Sequence, residues 1–207
     1  GRLLAAASLF EDAFSIDWLQ ELTGRKATDV LACCQKAVGG GILAARGIGS
    51  FSFLQKKIRL DFQGRLPAAE RERQSGLIVS LLIKDLPDAE DKALRLAPHL
   101  LGVFNKPDAL VWLFRAAKHY SANFQTDAAL ACYAKIIDDL AGVHQPGADE
   151  LFCDAAIEYA KLNTAKSNVK KVTSILEEAM FRAQTIGNRR YQTMIDADPR
   201  GELAQQA

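Results

Sequence analysis

Apolar positions follow two rhythms along this chain, and the change falls near residue 88. Before it, short apolar runs alternate with turn residues. Leu3 to Phe10 is apolar on nearly every side, which predicts a short helix, and residues 11–14 read as a turn. Ser15 is positioned to cap a helix over 16–22, and Gly24 ends it in the left-handed conformation that glycine adopts without strain. Thr28 and Asp29 open a third helix in which Val30, Leu31, Cys34, Ala37 and Val38 recur at three and four residues; Gly39, Gly40 and Gly41 stop it. Residues 42–46 and 51–54 are extended runs around a glycine-containing loop at 47–50, the pattern of a β-hairpin. A helix over 56–62 stops near Gly64, and Pro67 starts a longer one running to Lys84.

Beyond Pro87 and Asp88 the helices lengthen. Apolar spacing predicts them over 89–104, 108–122, 126–141, 148–162 and 169–186, with short breaks at 105–107, 123–125, 144–147 and 163–164. Breaks this short imply antiparallel helices stacked side by side. Ala109, Leu113 and Ala116 recur twenty residues later as Ala129, Tyr133 and Ile136, and Ala155 with Tyr159 continues the theme. A small residue followed four later by a large one lets a helix approach its neighbour and fill the adjoining gap, as in a tetratricopeptide repeat. The spacing is not a steady 34 residues or so, and the Trp-Leu-Gly-Tyr half of that repeat is missing.

These elements predict a mainly α protein. Residues 1–66 are expected to form a winged helix with a small β-hairpin, 67–87 a connecting helix, and 88–207 an antiparallel α-helical hairpin array of tetratricopeptide-like kind. Leu3 to Phe10, Phe14 to Leu19, Leu22-Thr23-Gly24, Gly41-Ile42-Leu43 and Phe51-Ser52-Phe53 resemble the winged-helix segment after the nucleotide-binding domain of STAND-type signalling ATPases. Leu96 to Leu101, Ala109 to Ala117 and Ala128 to Ile137 are similar to the helices that follow in LuxR-type and adenylate-cyclase-associated members. The resemblance implies that the winged helix is an internal hinge against an upstream nucleotide-binding domain and that the array senses a protein or small ligand. The chain departs from those relatives at Phe53-Leu54-Gln55, where many carry Phe-x-His, so that histidine's contact is not carried over.

Charge adds one feature. Residues 25–74 hold ten bases against four acids, a local charge of +6, within a chain of net charge +1. Lys56, Lys57, Arg59, Lys36 and Arg46 are the candidate interaction residues of this segment. An interdomain surface is one use for it, and DNA binding by phosphate attraction is the alternative. The third helix offers Asp29, Gln35 and Lys36 but no arginine to pair with guanine, which counts against direct base reading. Acidic pairs such as Asp138-Asp139, Glu177-Glu178 and Glu70 with Glu72 are expected on solvent faces. Trp112, Phe114, His119, Tyr120, Phe124 and Tyr133, extended by Phe152, Tyr159 and Phe181, are expected as inter-helix core, with a ligand groove as the other reading.

Catalytic signals are missing. Gly24-Arg25-Lys26 lacks the glycine a phosphate loop needs five positions earlier, and the other glycine groups fail the dinucleotide spacing. Cys33, Cys34, Cys132 and Cys153 form no CxxC pair and are expected as reduced thiols; the three histidines have no metal-ligand spacing. No cofactor is therefore expected. No apolar run of about 18 residues exists, which argues against a membrane span and for a cytoplasmic protein. The first residue is Gly1, and the chain is expected to be a regulatory piece of a longer ATPase whose missing part is N-terminal.

Overall fold

A computed structural model describes residues 1–163 and 169–198. The chain divides into two compact units, Gly1–Asp88 and Ala89–Ala207. The first is built from α1 (Arg2–Ala7), β1 (Phe14–Ser15), α2 (Ile16–Thr23), α3 (Ala27–Gly39), β2 (Leu43–Gly47), β3 (Ser50–Phe53), α4 (Lys56–Gln63) and α5 (Ala68–Asp85).

Its elements arise mostly where the apolar pattern predicts. Leu3 through Ala7 are all buried, so α1 runs through the core. Ser15 caps α2 by accepting from the Trp18 N–H at 3.1 Å, and Gly24 closes it at φ 67°. The predicted turn at 11–14 is corrected at its end: Phe14 and Ser15 pair antiparallel with Phe51 and Ser50, completing a three-stranded sheet in the order β1-β3-β2. On the other side of β3, Leu43 faces Phe53 and Ala45 faces Phe51, with a register shift before Gly47. A two-residue strand has no periodicity of its own; only the partner β3 defines it. Phe14 links the sheet to the core, its ring 5.8 Å from Phe10 and 6.4 Å from Phe51.

Two boundaries and one helix face in this unit differ from expectation. Helix α3 starts at Ala27 behind Lys26, which makes no side-chain cap, so Thr28 and Asp29 lie inside its first turn. Leu31 is on the outer face of α3 at 36% exposure, while Val30, Cys34 and Ala37 are buried. Pro67 is the N-cap of α5 instead of its first helical residue. Helix α5 packs on α2, with the Trp18 indole N–H donating to Asp85 at 3.0 Å, which ties it to the first unit.

The second unit comprises α6 (Glu90–Leu100), α7 (Pro107–Ala122), α8 (Thr126–Leu140), α9 (Pro146–Leu162), α10 (Val169–Thr185) and α11 (Arg189–Asp196). Each helix packs on the next, and α9 also touches α7 and α11. Helices α7, α9 and α11 thus share one layer, with α8 and α10 in the other. Helix α6 ends four residues short of expectation because Asn105 folds back, its amide N–H donating to the carbonyls of Leu100 and Val103 at 2.7 and 3.0 Å. Helix α11 had no counterpart in the sequence reading; Asn188 caps it by accepting from the Arg190 and Tyr191 N–H groups. The residues of the expected break at 163–164 are described only as far as Asn163, and the last nine residues of the expected array lie outside the described residues.

Candidate functional site

The five candidate bases do not behave as one group. Lys56 and Lys57 occupy the first turn of α4 and are exposed, Lys36 lies exposed in the last turn of α3, and Arg46 lies exposed on β2. Backbone hydrogen bonds from Ile42 N–H to the Ala37 carbonyl and from Leu54 N–H to the Ile42 carbonyl join the exit of α3 to the entry of α4. Lys36, Lys56 and Lys57 therefore share one end of the unit. Arg46 sits nearer the hairpin tip, where its Nε donates to Ser52 Oγ at 2.8 Å.

Arg59 is the exception. It is only 6% exposed, and its guanidinium donates to the Ser8 carbonyl at 3.1 Å and to Glu11 at 3.5 Å. The buried residues of α4 are Arg59 and Phe62, one turn apart, so position 59 falls on the inner face and its cation serves the C-terminal end of α1. It is a structural residue, and its place among surface bases is corrected.

Lys56 and Lys57 have no such structural reason. Two cations in a first turn oppose the helix dipole, and α4 has neither an acid in that turn nor a side-chain cap from Gln55. Their presence costs stability. The outer face of α3 exposes Thr28, Leu31, Ala32, Gln35 and Lys36.

The second unit buries several polar groups, one of them an acid expected on a solvent face. Asp139 is 5% exposed, accepting from Asn105 N–H and Nδ2 at 3.2 and 2.8 Å and from Lys135 at 2.6 Å. Asp138 stays outside, so only half of that pair is solvated. Arg182, 1% exposed, donates to Glu178 at 2.7 Å, Asp149 at 3.1 Å and the carbonyls of Val143 and Leu140 at 2.9 and 3.1 Å. Its guanidinium also stacks on the Phe152 ring at 4.0 Å. Among the aromatics, Tyr133, Phe152 and Tyr159 are core, but Phe124 and Phe181 are 93% and 60% exposed and leave the predicted cluster.

Tyr133 carries an anomaly: its hydroxyl is buried and has no hydrogen-bond partner. Leaving such a group unsatisfied costs roughly 1–3 kcal/mol. Its ring meets Phe114 edge-on at 5.7 Å. Burial, and secondarily the Glu158 carboxylate, push its proton affinity above the usual phenol range. A separate cavity of about 200 Å³ lies among α9, α10 and α11, lined by Ile157, Leu176 and Met194 with Lys161 and Asp198 at its polar edge.

The thiols offer no nucleophile at neutral pH where they are buried. All four cysteines are free. Burial raises Cys34 to about 11 and Cys132 and Cys153 to about 12. Among the described residues no group of three or more His, Cys, Asp or Glu is arranged to hold a metal, and no helix is long and apolar enough to cross a membrane.

Comparison with protein-family models, curated proteins and solved structures finds no match for this chain.

Proposed function

We propose that this chain is a regulatory and protein-interaction part of a larger STAND-type signalling ATPase. Residues 1–66 act as a winged helix that couples to an upstream nucleotide-binding domain, and the helices after residue 88 act as a tetratricopeptide-like array that receives a protein or small ligand. The chain regulates; it does not catalyse. The observation that carries this reading is the order helix, strand, helix, helix, hairpin, with β3 between β1 and β2, set beside a basic end made of Lys36, Lys56 and Lys57. Cations retained at a helix N-terminus against the dipole are what a charge-complementary partner would require. DNA reading through α3 has less support, because its exposed face presents Lys36 as its one base within the helix.

The test uses Lys56→Glu with Lys57→Glu, leaving the buried Arg59 intact. In the full-length protein this double reversal is expected to disturb nucleotide-dependent regulation. The chain itself is expected to bind a mixed-sequence duplex weakly, with a log-affinity falling by about 0.9 per phosphate contact against log salt. Sequence-discriminating duplex binding at physiological salt, abolished by the same reversal, would replace this reading with a DNA-binding one.

A further inference from the structure

Helices α9 and α11 close on the same short pattern. Ile157, Ala160 and Lys161 stand at positions i, i+3 and i+4, and Met194, Ala197 and Asp198 repeat that spacing at the end of α11. Side chains so spaced share one helix face. In each case a large apolar residue is followed by an alanine and then by a charge, and the two charges are opposite. All six line the cavity of about 200 Å³, with Leu176 of α10 as its third wall. The two helices run the same way along it: Tyr191 at the start of α11 hydrogen-bonds Asp154 in the middle of α9, while Asp198 and Lys161 at their far ends meet the same space.

Burial divides this cavity into a floor and a rim. Ile157, Ala160 and Leu176 are buried, Met194 and Asp198 are half-buried, and Lys161 and Ala197 are exposed. Lys161 is paired with Glu158 at 3.0 Å, but more than half of its side chain is exposed, and such a pair is held weakly. Glu158 keeps Lys118 at 3.7 Å if Lys161 turns to a ligand. A carboxylate accepts several donors at once, so Asp198 can take a further one beside the contacts it already makes.

We propose that this cavity binds a free apolar α-amino acid of leucine or methionine size, with its side chain on the floor, its carboxylate on Lys161 and its ammonium on Asp198. Size and charge both point there. An apolar cavity of about 150 Å³ holds a benzene ring, so this one accommodates a side chain of about four to six carbons. An apolar floor with a few polar groups that fix orientation is the ordinary make-up of a small-ligand site. Among the described residues those groups are one cation and one anion, which match a zwitterion. A fatty acid would set its carboxylate against Asp198, and a simple amine would set its ammonium against Lys161. Met194, unbranched and flexible, can adapt its wall to the side chain that enters.

The inference rests on the array being the ligand-receiving half, but it is tested on this chain alone, so it can fail while the α4 double reversal still disturbs regulation in the full-length protein. The experiment is isothermal titration calorimetry of the whole chain with L-leucine and its two half-ligands, isocaproate and isopentylamine. L-leucine is expected to bind about tenfold more tightly than either, because each half-ligand lacks one charge-assisted hydrogen bond. Lys161→Met and Asp198→Asn should each weaken L-leucine by about the same factor. Lys161→Met should leave isopentylamine unaffected, and Asp198→Asn should not weaken isocaproate. Ala197→Leu, made at the exposed rim, should fill the cavity and abolish binding while leaving the thermal midpoint unchanged or higher. Equal binding of the three ligands, undiminished binding by the Ala197→Leu chain, or no binding of L-leucine at millimolar concentration would overturn the inference.

Discussion

Each unit buries one arginine among its described residues, and the two are held differently. Arg59 in the first unit reaches one carbonyl at 3.1 Å and one carboxylate at 3.5 Å, and that carboxylate, on Glu11, is 55% exposed. Arg182 in the second unit is met by two carbonyls, two carboxylates and an aromatic face, and its partner Asp149 is itself only 7% exposed. The difference follows from what each arginine joins. Arg59 plugs the end of α1, where water still reaches its acid. Arg182 joins α10 to α9 and to the carbonyls at the end of α8, so its charge is part of the packing of three helices. A buried pair of the second kind is costly to break from one side, because the remaining charge has no water to return to. The first kind leaves behind a carbonyl and a solvated carboxylate, which is a smaller loss.

The largest effect that would test this contrast is Arg182→Met. It strands Asp149, whose remaining neighbour is His144 at 3.7 Å, and should cost about 3–5 kcal/mol in urea unfolding. The buried thiols report which unit has opened: Cys132 and Cys153 belong to the second, Cys34 to the first, and burial keeps each protonated and unreactive until its surroundings unfold. In the Arg182 variant, labelling of Cys132 and Cys153 should accelerate well before that of Cys34. Arg59→Met comes next, at about 1–3 kcal/mol, and should accelerate Cys34 labelling instead. If the two variants cost the same, the distinction between a plug and an embedded pair is wrong.

The smallest effect has the opposite sign. Lys56→Glu and Lys57→Glu should each stabilise the first unit by about 0.3–1 kcal/mol, because an acid in the first turn of α4 complements the dipole that a lysine opposes. Urea titration at low salt, followed by loss of the gain at high salt, is the check. A destabilising result would mean that the lysines hold the first unit together, removing the case for keeping them as a partner surface.

Much of this was legible in the chain because it is local. The Ser15 cap, the Gly24 stop and the spacing of Val30, Cys34 and Ala37 act within one or two helical turns, so neighbouring residues suffice to read them. The same holds for the long helices after residue 88, except that Pro107 and Pro146, expected in the breaks before α7 and α9, are the first residues of those helices. The candidate surface was legible only as charge density. Lys56, Lys57 and Arg59 are near-neighbours of one sign in sequence, and nothing local told that the third turns inward.

What the sequence by itself determined was the mainly helical content, the hairpin and the change of rhythm near residue 88, since these follow from backbone preference and periodicity summed over many residues. Tertiary structure alone decided where charge goes. Phe14 became a strand because β3 lay beside it, Asp139 was buried because Asn105 and Lys135 met it there, and Arg182 was buried because loop carbonyls from forty residues away needed its donors. The physical reason is common to the two buried charges. A charged or polar group enters the interior only when partners from distant parts of the chain replace its water, and the identity of those partners is a property of the packed fold.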